Sequence, residues 1–210
     1  IIYESQMIGL IDAKSGNIGS IENALEYLGL QYLIIEKKSQ LKPGMNLILP
    51  GIGSFHTLMN NLNKLELVNP LKKAISEGNP FLGICVGMQV LLSTGLEQKK
   101  TAGLDVINGQ VVKIKNVNIK VPVVSWIKVK PAGEASINCI LKNCQELNFY
   151  FSHSFYCEVE NQNEIVAYSE YNQIKYPAII NKDNVYGVQF HPEKSREAGL
   201  QIIKNFTEIN

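Results

Sequence analysis

The sequence predicts an α/β fold with a mixed sheet, parallel in its first half and antiparallel in its second. Three observations lead there. Up to about residue 95, short apolar runs alternate with segments of helical periodicity. Beyond about residue 101, seven strand-like runs crowd together at hairpin spacing. No linker, repeat or low-complexity tract divides the chain.

The elements follow in order. Met7–Asp12 is an apolar run ending in a polar loop and reads as a buried strand. A helix follows, capped by Ser15 or Asn17, with Ile18, Ile21, Leu25 and Leu28 on one face and Gly29 to end it. Tyr32–Ile35 and Leu47–Leu49 are the next strands, the second closed by Pro50-Gly51. Leu58–Val68 and Leu71–Glu77 read as helical pieces split by Pro70. Pro80–Ile84 is again a strand, and Gly87–Thr94 a helix halted by Gly95. The second half offers strands at Gln110–Lys115, Lys120–Lys130, Phe149–Phe151, Phe155–Glu160, Ile165–Ser169, Pro177–Asn181 and Val185–Phe190. Arg196–Phe206 closes as a helix. One domain over residues 7–210 is expected, with Ile1–Gln6 read as extra residues ahead of the natural-looking start MIGLID.

Composition narrows the function. The 210 residues carry 20 Lys+Arg against 19 Asp+Glu, a formal net charge of +1, which argues against a nucleic-acid partner. Hydrophobic content of 45% suits a folded chain, and no stretch reaches the ~18 apolar residues that a membrane helix needs. Pro80–Leu92 is the most apolar segment, but Gly83, Gly87 and Gln89 interrupt it. A cytoplasmic, soluble protein with no membrane partner is the expectation. Of four cysteines, Cys139 and Cys144 lack the spacing and histidine neighbours of a zinc site, so no metal is expected. Cys157 alternates with polar residues on a strand and should face a core.

Cys85 is different. In FLGICVGMQVLL an apolar strand runs into Gly83-Ile-Cys85-Val-Gly87 and then a helix, the thiol form of a nucleophile elbow. Small residues two positions either side let the chain turn sharply. The helix that follows should place its N-terminal dipole beneath the sulfur, favouring thiolate. The Val86 N–H then points where an oxyanion would form. Alone, such a string also describes a tight turn around a buried thiol.

A thiol nucleophile needs a base, and the chain has three histidines. His191 follows an apolar strand in VYGVQFHPEKS and should stand at a sheet edge, with Glu193 two residues on to orient it. His153, in FYFSHSF, is the rival, though no nearby carboxylate is placed to orient it; His56 reads as a helix-surface residue. LILPGIGSF ends a buried strand in a glycine-rich loop, and Gly51 or Ile52 there could supply a second oxyanion donor. Elbow, His-x-Glu and loop together describe an acyl-transfer site.

PGIGSF, GICVGMQ and GVQFHPEKS resemble the three signatures of the class I (triad-type) glutamine amidotransferases. The opening SGNIGSIENALEYLG and the ending FHPEKS are similar to one branch, the glutaminase subunits of imidazole glycerol phosphate synthase. The resemblance runs from Met7 to the C-terminus. It implies a flavodoxin-like, three-layer fold, L-glutamine as substrate, no cofactor, and ammonia passed to a barrel-shaped cyclase subunit. Carried over, Cys85 is the nucleophile, His191 the base and Glu193 its orienter; Val86, Gly51 and Ile52 hold the oxyanion. Gln89, His153 and Ser154 match substrate-binding positions.

Two departures stand out. The family's early loop commonly reads Asp-Tyr-Gly-x-Gly-Asn, against Asp12-Ala13-Lys14-Ser15-Gly16-Asn17 here. VPVVSWIKV keeps Pro122 and Trp126, but Val124, Ser125 and Ile127 replace the Met, Gly and Asn usual near the cyclase contact. A paralogous glutaminase feeding a surface-sugar amidating enzyme, and a stand-alone thiol hydrolase, are therefore the alternatives.

Overall fold

Uninterrupted apolar runs build the centre of the sheet. In a computed structural model describing residues 7–15, 18–115, 120–133 and 140–209, strands β1 (Ile8–Ile11), β3 (Asn46–Gly51) and β4 (Phe81–Cys85) are buried along their whole length. Such strands have helices or further strands on both faces, as parallel sheets require. β2 (Tyr32–Ile35) pairs with β1, β1 with β3, and β3 with β4, all parallel. Helices α1 (Ile18–Tyr27), α2 (Phe55–Lys64) and α3 (Val68–Ser76) connect them. Residues 1–6, with the expectation about their origin, lie outside the described residues.

A one-turn helix, α4 (Val86–Gln89), follows β4 and leads to β5 (Leu92–Gly95) and β6 (Thr101–Ala102). The antiparallel half contains β7 (Ile107–Lys113), β8 (Val123–Pro131), β9 (Asn148–His153), β10 (Phe155–Val159), β11 (Ile165–Tyr171) and β12 (Ile174–Lys182). β13 (Val185–Val188) and α5 (Arg196–Thr207) complete the chain. The large sheet runs β2-β1-β3-β4-β13-β12-β11-β8-β9, and a smaller one runs β10-β7-β5-β6. Here burial alternates, as in β9 and β11, because one face meets the core and the other does not. Cys157 on β10 is buried as its alternation predicts.

Three expectations needed correction. The helix expected over Gly87–Thr94 stops after Gln89, and Leu92–Gly95 is a strand. The carbonyls of Val90 and Leu91 accept from the amides of Leu104 and Ile107, so tertiary pairing overrides the local helical pattern. Pro70 does not split two helices. It lies in the first turn of α3, where a backbone N–H would have no intrahelical partner, and the break falls at Leu65–Leu67. Finally, β13 lies between β4 and β12 and is parallel to β4, so His191 follows a central strand instead of standing at an edge. Among the described residues, no helix is long and apolar enough to cross a membrane.

Candidate active site

Cys85 ends β4 with φ 54° and ψ −108°, a strained conformation for a residue with a side chain and the mark of a sharp elbow. The flanking glycines make the turn possible. A Cβ on Gly83 would lie 2.4 Å from the Gly87 carbonyl oxygen, and one on Gly87 would lie 1.9 Å from that of Leu49. The Val86 amide opens α4 and has no helical acceptor. Since α4 is a single turn, the expected helix dipole shrinks to the local N–H groups of that turn.

The base arrives from the neighbouring strand. β13 holds register with β4 from Val185–Phe81 to Val188–Ile84, and the chain then turns at His191. That turn is stapled to β9: the His191 amide donates to the Tyr150 carbonyl (2.9 Å), and Ser195 Oγ donates to the His191 carbonyl (2.7 Å) while accepting from the Tyr150 amide (2.9 Å). A tight 3-10 turn over Pro192–Lys194 brings Glu193 back, so that His191 Nδ1–H donates to Glu193 Oε1 at 2.9 Å. Both side chains are buried. Burial opposes charge on the imidazole, but its hydrogen bonds to Cys85 and Glu193, with the charges of both, outweigh this and hold His191 well above the usual histidine range. The constellation thus favours an imidazolium between a sulfur and a carboxylate.

His153, the rival base, is a different kind of histidine. Its Nδ1–H donates to the Phe155 carbonyl (2.9 Å), and its ring stands edge-on to Tyr176. Burial pulls it down to about 4, so it is neutral near pH 7, and its Nε2 is buried without a partner. His56 sits on α2 and bonds Thr101 and Asn60, away from the thiol, as expected.

The oxyanion loop departs from expectation. Gly51 pairs with Cys85 in the β3–β4 ladder, which sets the loop beside the elbow. The Ile52 amide, expected as a donor to the oxyanion, instead donates to the Ser15 carbonyl at 2.8 Å. The Ser15 loop is itself anchored by Lys14, which bridges Asp12 and Glu36. In this arrangement the Val86 amide lies at the elbow without a helical acceptor, and Ile52 lines the cavity.

These groups open onto a cavity of about 360 Å³ lined by Cys85, Val86, Gln89, His153, Ser154 and His191, which the sequence singled out. Glu97, Ser152 and Lys194 also line it; the sequence assigned none of them a role, although Ser152 and Lys194 lie within FYFSHSF and FHPEKS. Glu97 Oε2 accepts from the Phe55 amide (2.9 Å), which fixes a carboxylate at the cavity wall. Gln189 was missed as well. It is fully buried and donates from Nε2 to Cys85 Sγ at 3.7 Å. Its place in VQFHPE, two residues before His191 on the same strand end, was the available signal.

Among the described residues the cysteines are unbridged, and no cluster of three His, Cys, Asp or Glu is placed to hold a metal ion. Cys139 lies outside the described residues. Burial raises the Cys144 thiol to about 11 and Cys157 further, so neither competes with Cys85 as a nucleophile.

Known proteins share this architecture. The profile of the family "Glutamine amidotransferase class-I" matches residues 9–209. The imidazole glycerol phosphate synthase subunit HisH of Geobacillus sp. (strain WCH70) is 40% identical over 208 residues, covering 97% of each chain. The subunit of the same name from Bacillus subtilis (strain 168) is 36% identical, covering 97% of this chain and 96% of its own. Among solved structures, one described as PurLQS from Thermotoga maritima superimposes with a TM-score of 0.75 at 16% identity, over 97% of this chain and 98% of that one. Another, described as a glutamine amidotransferase, gives 0.72 at 19% identity, covering 96% and 97%. At these identities the structures bear on fold alone, whereas the sequence matches carry the assignment: this chain belongs to the class I glutamine amidotransferases, in the branch of the HisH glutaminase subunits.

Proposed function

We propose that the chain hydrolyses L-glutamine to glutamate and ammonia at Cys85 and delivers the ammonia to a cyclase subunit. That pair would be a cytoplasmic imidazole glycerol phosphate synthase, forming imidazole glycerol phosphate and AICAR. The observation that carries this is the buried Cys85–His191–Glu193 arrangement at the ends of two paired strands, opening onto one cavity.

The chemistry follows from the groups present. Cys85 thiolate attacks the side-chain amide carbon, and the Val86 N–H stabilises the oxygen that gains charge. His191, held protonated beside Glu193, gives its proton to the departing nitrogen, and ammonia leaves a thioester on Cys85. The now neutral His191 takes a proton from water, which attacks the thioester; collapse returns the thiolate and releases glutamate. Glu97 is placed to receive the substrate's ammonium group, and Ser154 and His153 its amino-acid end. Both Nε2 hydrogens of Gln89 are engaged inside the protein, which leaves its Oε1 as the atom for substrate.

A second reading changes only the acceptor, and a specific feature favours it. On β8 the departing segment turns Val124 and Trp126 outward, 53% and 40% exposed, while Val123 and Ile127 face the core. On that exposed face Val124 stands where the family has Met, beside the retained Trp126, whereas Ile127 departs on the core side; the changed surface position is what a paralogue serving a surface-sugar amidating enzyme would carry. The test is glutamate release by the chain alone and with its candidate cyclase, with and without the nucleotide substrate. Activity that needs the cyclase and rises with nucleotide supports the first reading, and activity indifferent to nucleotide supports the second. Strong activity of the chain alone would make it a free hydrolase. Cys85→Ala should end glutamine turnover while the cyclase still works on free ammonia; glutamine hydrolysis near the wild-type rate would refute the assignment.

A further inference from the structure

A chain of buried amides ends at the nucleophile, and its polarity is dictated from its far end. The Phe155 carbonyl can only accept. It receives His153 Nδ1–H at 2.9 Å and Gln89 Nε2 at 3.0 Å, one for each lone pair. Gln89 must therefore turn its NH₂ toward Phe155, and its second hydrogen reaches Gln189 Oε1 at 3.1 Å. With that oxygen facing Gln89, the amide of Gln189 has its NH₂ on the opposite side, 3.7 Å from Cys85 Sγ. Neither glutamine can flip without setting two acceptors or two donors against each other. Gln89 and Gln189 are 3% and 0% exposed, so water cannot repair such a mismatch cheaply.

We propose that Gln189 is a positioning residue whose N–H donates to the Cys85 sulfur and holds it as a thiolate, with Gln89 and the Phe155 carbonyl locking the direction of that bond. This rests on Cys85 being the nucleophile. A donor at the sulfur favours the charged form over the neutral thiol, because thiolate is much the stronger acceptor. The same bond returns when the thioester collapses, easing departure of the sulfur in the second half of the reaction. Gln89 thereby influences the sulfur without touching it.

The readout is the rate of Cys85 alkylation by iodoacetamide against pH, followed on the Cys85 peptide by mass spectrometry in the full-length chain without glutamine. His191 and, beyond it, Glu193 face the sulfur, with His153, Glu97, Lys194 and Cys157 nearby, so each variant is compared with wild type. Gln189→Met keeps the volume without a donor, and Gln189→Glu keeps the acceptor for Gln89 but puts a carboxylate oxygen at the sulfur. Both should move the midpoint to higher pH, by about one pH unit for Gln189→Met and more for Gln189→Glu. Glutaminase activity near pH 7 should fall about tenfold for Gln189→Met and recover in alkali, whereas a merely structural role would lower it at every pH.

An unmoved midpoint in a folded Gln189→Met chain overturns the proposal, as does movement confined to Gln189→Glu, which a bare charge would explain. Should neither variant fold, Gln89→Met decides: without the lock the Gln189 amide is free to turn its oxygen toward the sulfur, so an unchanged midpoint overturns the proposal and an upward move, with no charge added, supports it. If wild-type Cys85 alkylates no faster than Cys144, the nucleophile assignment itself fails. A reactive Cys85 with unmoved variants removes Gln189 alone.

Discussion

Gly87→Ala tests whether the elbow geometry, and not merely the presence of the triad, carries the activity. The added Cβ would sit 1.9 Å from the Leu49 carbonyl oxygen, where real Cβ contacts stay beyond 3.0 Å. The two must therefore separate by about 1.1 Å, and neither is a flexible side chain. Leu49 is fixed in β3 opposite Gly83, so the first turn of α4 gives way. That turn carries the Val86 amide and follows Cys85 directly, and a displacement near 1 Å at a reacting group costs on the order of 10²-fold in rate. Overpacking at this buried point costs a further ~1–3 kcal/mol of stability. The assay is kcat/KM for glutamate release by the complex with the cyclase, beside the Tm of the isolated chain. Gly19→Ala is the control: its Cβ meets nothing within 4 Å and its helix gains a better helix former. A Gly87→Ala enzyme within threefold of wild type in kcat/KM, with an unchanged Tm, would refute the reasoning.

Other perturbations separate the remaining roles. Glu193→Gln should cost less glutaminase activity than His191→Ala, by about 10-fold or more, because the carboxylate orients the ring without moving the proton; kcat for each variant checks this. His191 is held above its unfolded value, so its pairing stabilises the fold fully below about pH 6.5 and the benefit fades as pH climbs through the raised folded value. Denaturant midpoints for wild type and Glu193→Gln should converge at high pH. His153 has the opposite sign. Held down at about 4, it leaves the unfolded chain to take up the proton first, so stability falls as pH drops from about 6.5 toward 4. His153→Gln should lessen the difference between denaturant midpoints at pH 7 and pH 5, and an undiminished difference counts against a buried neutral ring. Cys157→Ser should leave kcat intact and cost about 1–3 kcal/mol by chemical denaturation, since it places a hydroxyl in a fully enclosed apolar pocket.

The parallel half of the fold was legible because its strands are apolar without interruption, which only burial on both faces tolerates. Cys85, His191 and Glu193 were legible because each lies in a short string whose residue types serve the chemistry. What the sequence did not reveal depends on neighbours distant along the chain. Val90 and Leu91 carry helical periodicity, yet their carbonyls are claimed by residues 104 and 107. Gln189 gains its meaning only once β13 lies beside β4 and points an amide at the sulfur. Ile52 reads as a free donor until the loop after β1 folds over to take its hydrogen. Glu97 stands on no motif, and reaches the cavity by capping the first turn of α2.

The pairing of β4 with β13 also sets an order of events during synthesis. β1, β3 and β4 can associate as soon as they leave the ribosome, since N-terminal parts of a chain fold first and their connections are short. The free flank of β4 then waits for a strand made about a hundred residues later. Until that strand docks, the thiol has its elbow but neither imidazolium nor buried amide beside it. A half-made chain therefore carries an ordinary cysteine, and reactivity appears only as the last parallel strand enters the sheet.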